Sequence, residues 1–416
     1  LKNKKALYLL LTANAISQFA QGISMLAIPW YFTKQINQAS TFASIYSVAT
    51  FLTLFWGLYA GTLIDRYPRK KIFLSICVIS AIVLIGVSGY GFANGSIPIL
   101  MIGFIFCFTL FNYNIHYPTL YAFGQEITEK KNYSKTNSLL EVIGQTTNVI
   151  SGAVAVLLIE GVEFSSLNIR IESWDLHQIF LLDGITYILA MAIISQIKYR
   201  PIEQVRKSMG SIKVRLKEGL AFLNKNRLLF HFGNSSFTVF IFVLISMHLL
   251  WPIYIENHLE GSGEVYATTK IHYALGALLS GFFISMIFRR SNPILSIIFL
   301  SALSLIAYVT MASNKSSWVL FACALVLGIT NAGIRIQRIT YLFNHIPNYI
   351  IGRTNSVFQS INISLRSVLI AVFSIPFFIE DSNILITFWV AALIILISIV
   401  PLVWNYKALK ALKKEK

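Results

Sequence analysis

The stretch Gly61-Thr62-Leu63-Ile64-Asp65-Arg66-Tyr67-Pro68-Arg69-Lys70-Lys71-Ile72-Phe73-Leu74 decides the fold of this chain. One carboxylate and four cations crowd a turn too short for a domain, between apolar segments near 42–64 and 71–93. About 20 apolar residues cross the hydrocarbon core of a bilayer. Charge held that close to lipid is costly unless it pairs with helix ends or other charges. The stretch therefore reads as a cytoplasmic corner between two transmembrane helices.

The same reading extends along all 416 residues, of which 56% are hydrophobic and 12% charged, with mean hydropathy +0.67. A soluble domain carries about 25% charged residues, so this composition predicts a membrane protein. Twelve segments have spanning length, near 6–31, 42–64, 71–93, 97–121, 137–159, 178–198, 229–254, 266–288, 294–313, 317–342, 355–379 and 383–406. Alternating the loops places 27 of the 34 cations on the side of both termini. Four (Lys34, Arg170, Lys270 and Lys315) fall on the other side, and Arg335, Arg338 and Arg366 lie within spans. That bias predicts a multi-pass membrane protein with both termini in the cytoplasm. The net charge of +17 is thus an orientation signal, not a nucleic-acid footprint. Cys77, Cys107 and Cys323 all lie in apolar segments and read as small buried hydrophobes. The first apolar segment is too long for a cleavable signal peptide.

Thr136-Asn137-Ser138 opens the fifth span and Thr354-Asn355-Ser356 the eleventh, 218 positions later. Lys135 answers Arg353, Glu141 answers Gln359, Gly144 answers Asn362, Asn148 answers Arg366, and Gly61 answers Gly281. A six-span repeat in parallel orientation predicts a two-half transporter. The expected architecture is all-α, with twelve transmembrane helices in two six-helix pseudo-repeats. Its divisions are an N-terminal bundle over 1–198, a linker over 199–227 and a C-terminal bundle over 228–416. In the linker Ile212, Leu216, Leu220 and Leu223 alternate with basic residues, which predicts an amphipathic helix on the inner leaflet.

The corner at Gly61–Lys71 resembles the signature loop of the major facilitator superfamily, Gly-x-x-x-Asp-Arg-x-Gly-Arg-Lys/Arg, with Pro68 in place of the second glycine. Three segments resemble the macrolide-efflux branch: Ile115-His116-Tyr117-Pro118-Thr119-Leu120, Glu218-Gly219-Leu220-Ala221-Phe222-Leu223 and Ile346-Pro347-Asn348-Tyr349-Ile350-Ile351-Gly352-Arg353. Thr109 stands where the family has an arginine in span four, and Gly152 where exporters often have a proline in span five. The resemblance implies a gate built from Gly61, Asp65, Arg66, Arg69 and Lys70. In it Asp65, assisted by Arg69, meets the positive end of span eleven at Asn355 and Ser356. Pro68 pre-sets the turn by itself.

Polar side chains recur at helical spacing in four spans. They are Asn14, Gln18 and Gln21 (with Ser17 and Ser24), then Asn112, His116 and Thr119. Span five adds Asn137, Glu141, Gln145 and Asn148, and span eleven Asn355, Gln359, Asn362 and Arg366. Any one amide can serve as an interhelical hydrogen bond. Four stripes together predict a polar path between the halves. Arg366, about twelve residues into its span, reads as a contact for a substrate carboxylate or phosphate, or as a gating charge paired with Glu141. An arginine at that depth costs at least about 2.5 kcal/mol. Arg335 and Arg338 either snorkel to headgroups or make an inner vestibule attractive to anions. Glu141 is the preferred proton-coupling residue and Asp183 the second, with a structural role the stronger reading for Asp183. His248, Trp251, Tyr113, Tyr117, Phe240 and Trp30 supply an aromatic wall for an apolar cargo.

No His/Cys/carboxylate spacing suits a metal, and no glycine loop or ATPase motif is present, so an enzyme is not expected and no cofactor is implied. The outer carboxylates Glu160, Glu163, Glu172 and Asp175 read as a solvated face. The leading function is a secondary active, monomeric exporter. It would move an amphipathic drug or macrolide-like molecule by alternating access, as an antiporter against protons. The alternatives are export of an anionic metabolite such as a siderophore or peptide product, and lipid translocation on the same scaffold.

Overall fold

The computed structural model describes residues 3–129, 132–164, 169–198, 212–288, 292–347 and 350–412. The cations counted at Lys2, Lys130, Lys131, Arg200, Arg206, Lys207, Arg289, Arg290, Lys413, Lys414 and Lys416 lie outside these residues, as do Asn348 and Tyr349. The long helices are α1 (Lys4–Trp30), α2 (Ala39–Arg66), α3 (Arg69–Asn94), α4 (Ile99–Glu126), α5 (Tyr133–Glu160) and α6 (Leu176–Ser195). A short helix, α7 (Ile212–Lys225), precedes α8 (Arg227–Ile245) and α9 (Trp251–Asn257). There follow α10 (Gly263–Ile287), α11 (Pro293–Ala312), α12 (Ser317–His345), α13 (Ile351–Phe373), α14 (Pro376–Ile379), α15 (Ile384–Trp404) and α16 (Tyr406–Ala411). Ten of the described helical spans are long and apolar enough to cross a membrane, α8 and α9 counting as one continuous span. With α1 (27 residues) and α10 (25 residues) they make the expected twelve.

Local chemistry sets several boundaries. Asn3 caps α1 by accepting from the Ala6 N–H at 2.9 Å. At the corner α2 stops at Arg66, Tyr67 is extended, and Pro68 (φ −57°) leads into α3, so proline does make the turn. The π-helical turn Ser246–Leu250 joins α8 to α9 just before Pro252. Proline has no N–H to give, and such registers shift locally to i→i+5 bonds. The repeat read from sequence is visible in the helix starts: Ile99 and Ser317, and Tyr133 and Ile351, are each 218 residues apart.

Packing groups the chain into two compact units, and each unit takes part of a helix from the other half of the sequence. Unit 1 comprises Leu1–Gln38, Phe55–Lys207 and Ser262–Ile271. In it α1 packs on α4, α5 and α6, and α3 packs along α6. The first turns of α10 join this unit because Gly152 leaves room for Ile271: a Cβ at Gly152 would stand 2.8 Å from the Ile271 side chain. Unit 2 comprises Ala39–Leu54, Ser208–Gly261 and His272–Lys416. There α11 packs between α12 and α15, and α8 touches α12, α13 and α15.

The first half of α2 runs antiparallel to α13 along a ladder of serines. The Ser40 hydroxyl donates to the Ser374 carbonyl at 2.9 Å. Ser47 and Ser367 exchange hydroxyl-to-carbonyl bonds, 3.0 Å in each direction. Tyr46 continues the seam by donating to the Leu244 carbonyl at 3.1 Å. Small residues let membrane helices approach closely and bond across the gap.

Three expectations change. Among the described residues the fold has one departure from all-α: a hairpin, β1 (Val162–Phe164) with β2 (Ile169–Ile171), between α5 and α6. The loop around it is not simply a solvated face. Glu160 accepts from the Gly263 N–H at 2.7 Å, and Asp175 with Gln178 forms a capping box on α6. The linker helix α7 does form, but it packs on α13 within unit 2. Leu223 is buried there, Leu220 is 43% exposed, and Glu218 pairs with Arg353 at 2.8 Å. The apolar repeat in the sequence cannot distinguish a lipid headgroup layer from a neighbouring helix.

The tightest crossing lies in unit 2. A Cβ at Gly276 would collide with the Leu325 carbonyl, and one at Gly328 with the Tyr273 carbonyl, so α10 and α12 touch backbone to backbone. Gly328→Val should lower stability by about 1–3 kcal/mol or more, as overpacking does. A reduced melting temperature in detergent checks it; an unchanged one would show that this crossing is loose.

Candidate functional site

In unit 1 the polar stripe of α1 is almost entirely buried. Asn14 is fully buried, donates to Gln18 Oε1 at 3.1 Å, and its Oδ1 lies 2.9 Å from His116 Nε2 on α4. The His116 ring also packs on Phe73, centroids 4.8 Å apart. Gln21 is buried on the same helix, and Ser24 donates to Asp183 Oδ2 at 2.8 Å. Asn112, one turn from His116, turns elsewhere: its amide donates to Ser80 at 3.0 Å and to the Tyr187 hydroxyl at 3.1 Å. These residues therefore hold α1, α3, α4 and α6 together. Gln18 Nε2, Thr119 Oγ1 and Asp183 Oδ1 are buried atoms without a hydrogen-bond partner among the described residues.

A second group sits where α4 faces α5. Glu141 accepts from the Tyr121 hydroxyl at 3.0 Å and from Gln145 Nε2 at 3.1 Å. Both residues are half-buried, so this carboxylate is reachable. Helix α5 begins at Tyr133, four residues before the expected Asn137, which carries Glu141 deeper than one turn. The Asn137 side chain lies outside the described residues, and Asn148 is exposed. Tyr113 and Tyr117 stack at 5.3 Å, and Trp30 stacks on Tyr266 at 5.8 Å.

Lys270 was counted only as an outer cation, and the structure gives it a specific place. Pro29 in α1 cannot donate to the Met25 carbonyl four residues earlier. Lys270 Nζ donates to that carbonyl at 3.3 Å and lies 4.8 Å from the Tyr266 ring centroid. The signals available in the sequence were Pro29 inside a span and a lysine inside another.

In unit 2, α13 begins at Ile351, four residues ahead of the expected Asn355, so Arg366 lies well past mid-helix. Its Nε is buried without a hydrogen-bond partner, and Tyr46 is within electrostatic reach. One turn earlier Asn362 is 2% exposed, and neither its Nδ2 nor its Oδ1 has a partner among the described residues. Tyr46 meets the His248 ring edge to face at 5.7 Å, and Trp251 is fully buried in the same unit. Gln359 is exposed on α13, and Phe240 neighbours Phe237. Sequence spacing pointed to Asn362 and Arg366; nothing in it pointed to Tyr46, which arrives from α2.

The Major Facilitator Superfamily profile matches residues 10–365. The chain belongs to that superfamily. It is a multi-pass membrane transporter, with the family fold throughout. Macrolide efflux protein A of Streptococcus pyogenes is 24% identical over 335 residues, which cover 79% of this chain and 78% of that protein. BacE of Bacillus amyloliquefaciens, named as a candidate bacilysin exporter, is 25% identical over 73% of this chain and 72% of its own. Among solved structures the nucleoside transporter NupG superposes with a TM-score of 0.72 at 11% identity, covering 97% of this chain and 99% of that one.

In this transporter the signature corner has two described cations with partners. Arg69 approaches Glu126 at 3.6 Å and donates to the Tyr67 carbonyl at 3.2 Å. Lys70 donates to the Ser195 and Ile197 carbonyls at 2.7 and 2.8 Å, closing the end of α6. The side chains of Gly61, Asp65 and Arg66 lie outside the described residues. Thr109, where the family arginine is absent, bonds its own helix at the Ile105 carbonyl, 2.8 Å away.

The arginines of α12 differ from each other. Arg335 is exposed, whereas Arg338 is 6% exposed and does not snorkel. Its Nη1 donates to the Ser236 carbonyl at 2.9 Å, and the guanidinium lies 3.5 Å from the Phe237 ring centroid. Arg338→Ala should therefore cost about 2 kcal/mol of stability, the worth of a desolvated cation–π contact. Arg366 makes no hydrogen bond among the described residues, so Arg366→Ala should leave the melting temperature within about 0.5 kcal/mol of equivalent stability. Thermal unfolding of the two variants side by side checks the contrast.

Proposed function

We propose that this transporter is a secondary active exporter of an amphipathic small molecule in the bacterial cytoplasmic membrane. It works by alternating access, as an antiporter against inward protons. The halves 1–198 and 228–416, joined through 199–227, are the moving bodies of a monomer with both termini in the cytoplasm. The similarity to macrolide efflux proteins supports the direction and the bulky, partly apolar class of cargo.

One observation carries the cargo assignment: Asn362 and Arg366, successive on α13, keep buried polar atoms without partners among the described residues. Such groups inside hydrocarbon are costly, and a ligand that completes their hydrogen bonds recovers the difference. Gln18, with a free buried amide, and the reachable Gln145 and Gln359 are the further contacts. In unit 1 Asn14, Gln21, Asn112 and His116 are the further candidates for cargo contact, and in unit 2 Arg335 is the further candidate for an anionic group. The guanidinium of Arg366 favours a second reading, a cargo bearing a carboxylate or phosphate. Glu141 is the proton-coupling residue: it is half-buried and held by two neutral donors that can reorganise when it is protonated. Asp183 is the second candidate, with Oδ1 left open for a proton. Asp65 and its neighbours at the corner form the gate.

Inverted vesicles energised with an acidic lumen should accumulate a radiolabelled macrolide, and a protonophore should abolish the uptake. Accumulation only in right-side-out vesicles would overturn export. Arg366→Ala should reduce transport about tenfold or more, the value of a lost charge-assisted hydrogen bond. Glu141→Gln should leave downhill exchange intact and remove the response to the proton gradient. An unchanged pH profile in Glu141→Gln would remove that residue from coupling.

A further inference from the structure

Unit 1 holds a crevice of about 420 Å³ between the second half of α2, the first half of α3 and the middle of α4. None of the charged or amide groups assigned to cargo binding above lines it except Asn112, whose amide is already bonded to Ser80 and Tyr187. Leu63, Ile72, Ile76, Phe108, Phe111 and Ile115 form its interior. The one indole at the wall, Trp56, donates its N–H to the Phe111 carbonyl at 2.8 Å. A pocket of this volume is large enough for a small ligand, but pockets for polar solutes present a few convergent polar groups. Here the interior amide and indole are already hydrogen-bonded, so the interior offers aliphatic and aromatic surface.

The polar residues lie at one end. Tyr67, Lys71 and Ser75 line the crevice where α3 begins, and Lys71 and Ser75, one turn apart, are both exposed. The neighbouring cations Arg69 and Lys70 are engaged by Glu126 and by the carbonyls ending α6. Lys71 has no such engagement among the described residues, and it is the charge that borders the crevice. The apolar surface continues outward through Ile79, 52% exposed, beyond the same wall. A cationic mouth leading into an alkyl-lined interior matches an anionic amphiphile with its head at the loop and its tail along the helices.

We propose that this crevice is a binding site for an anionic phospholipid of the cytoplasmic leaflet. One acyl chain lies between α2, α3 and α4, and the headgroup phosphate meets Lys71 and the Ser75 hydroxyl. The charge match follows from the positive-inside placement of the corner, since the inner leaflet carries the negative surface potential. The crevice gives the acyl chain a packing surface, and Lys71 supplies headgroup choice. The site is distinct from Asn362 and Arg366, which lie in unit 2.

The test is native mass spectrometry of the full transporter, delipidated in mild detergent and titrated with phosphatidylglycerol or phosphatidylcholine of equal chain length. Wild type should retain phosphatidylglycerol preferentially. Lys71→Gln should cut that preference about fivefold while phosphatidylcholine binding stays constant, the effect of one lysine at an anionic surface. Ile76→Trp, which fills the interior, should reduce retention of both lipids. Should Ile76→Trp fail to fold, a phosphatidylglycerol with a photoactivatable acyl chain gives the same answer on wild type. It should label residues of α3 and α4 that line the crevice. An unchanged headgroup preference in Lys71→Gln, or labelling confined to other helices, overturns the proposal. Displacement of the labelled lipid by excess macrolide, retained in Arg366→Ala, would reassign the crevice to cargo and overturn it equally.

Discussion

The constraint on which this molecule depends is that hydrocarbon offers no hydrogen bonds, so every backbone carbonyl and N–H in a span needs a partner within the protein. Regular helices meet that demand except where proline interrupts them. Pro29 frees the Met25 carbonyl, and the chain answers with a lysine from a helix more than two hundred residues away. A π-helical turn follows Pro29 at Tyr31–Gln35, and another precedes Pro252 at Ser246–Leu250. The lysine ties α10 to α1, and the turns change the pitch locally beside each proline. Proline thus acts on tertiary organisation through the carbonyl it leaves open. Lys70 applies the same chemistry to a helix end, where the last carbonyls of α6 have no intrahelical donors.

The fold was legible because its signals are long and redundant. A run of spanning length tolerates errors at its ends, and the cation bias draws on many loops at once. The register of the repeat survived to the residue for α5 and α13, because both open with the same Thr-Asn-Ser and fill the same place in the topology. Helix starts were read four residues late for these two, since the polar first turn looks like loop when judged by hydropathy alone. The hairpin between α5 and α6 was missed because three-residue strands carry too short an alternation to register.

The candidate site was legible by residue type and much less by role. The spacing of Asn14, Gln18 and Gln21 correctly describes one helical stripe, yet its members meet different helices: Asn14 lies against His116 of α4, while the neighbouring Ser24 bonds Asp183 of α6. Asn112 and His116 share a helical spacing but turn toward different helices. Periodicity reports which residues lie near each other on one helix; it does not report which helix they meet. Asn362 and Arg366 stand apart because their polar atoms are left over once the neighbours are in place. That property exists only in three dimensions. Tyr46, Ser40 and Ser47 were invisible for the same reason, since a serine in a span has no signature beyond its small size.

The serine ladder between α2 and α13 has a mechanical consequence. The Ser47 and Ser367 hydroxyls bond carbonyls inside the facing helix, which that helix already engages, whereas Ser374 lies just past the end of α13 and its carbonyl takes its bond from Ser40. A seam closed by leucines would have to expose its fit to re-form it, and one closed by ion pairs would strand charges in lipid. This one is closed by neutral bonds about two turns apart, which hold the two helices in register and would strand no charge if they parted.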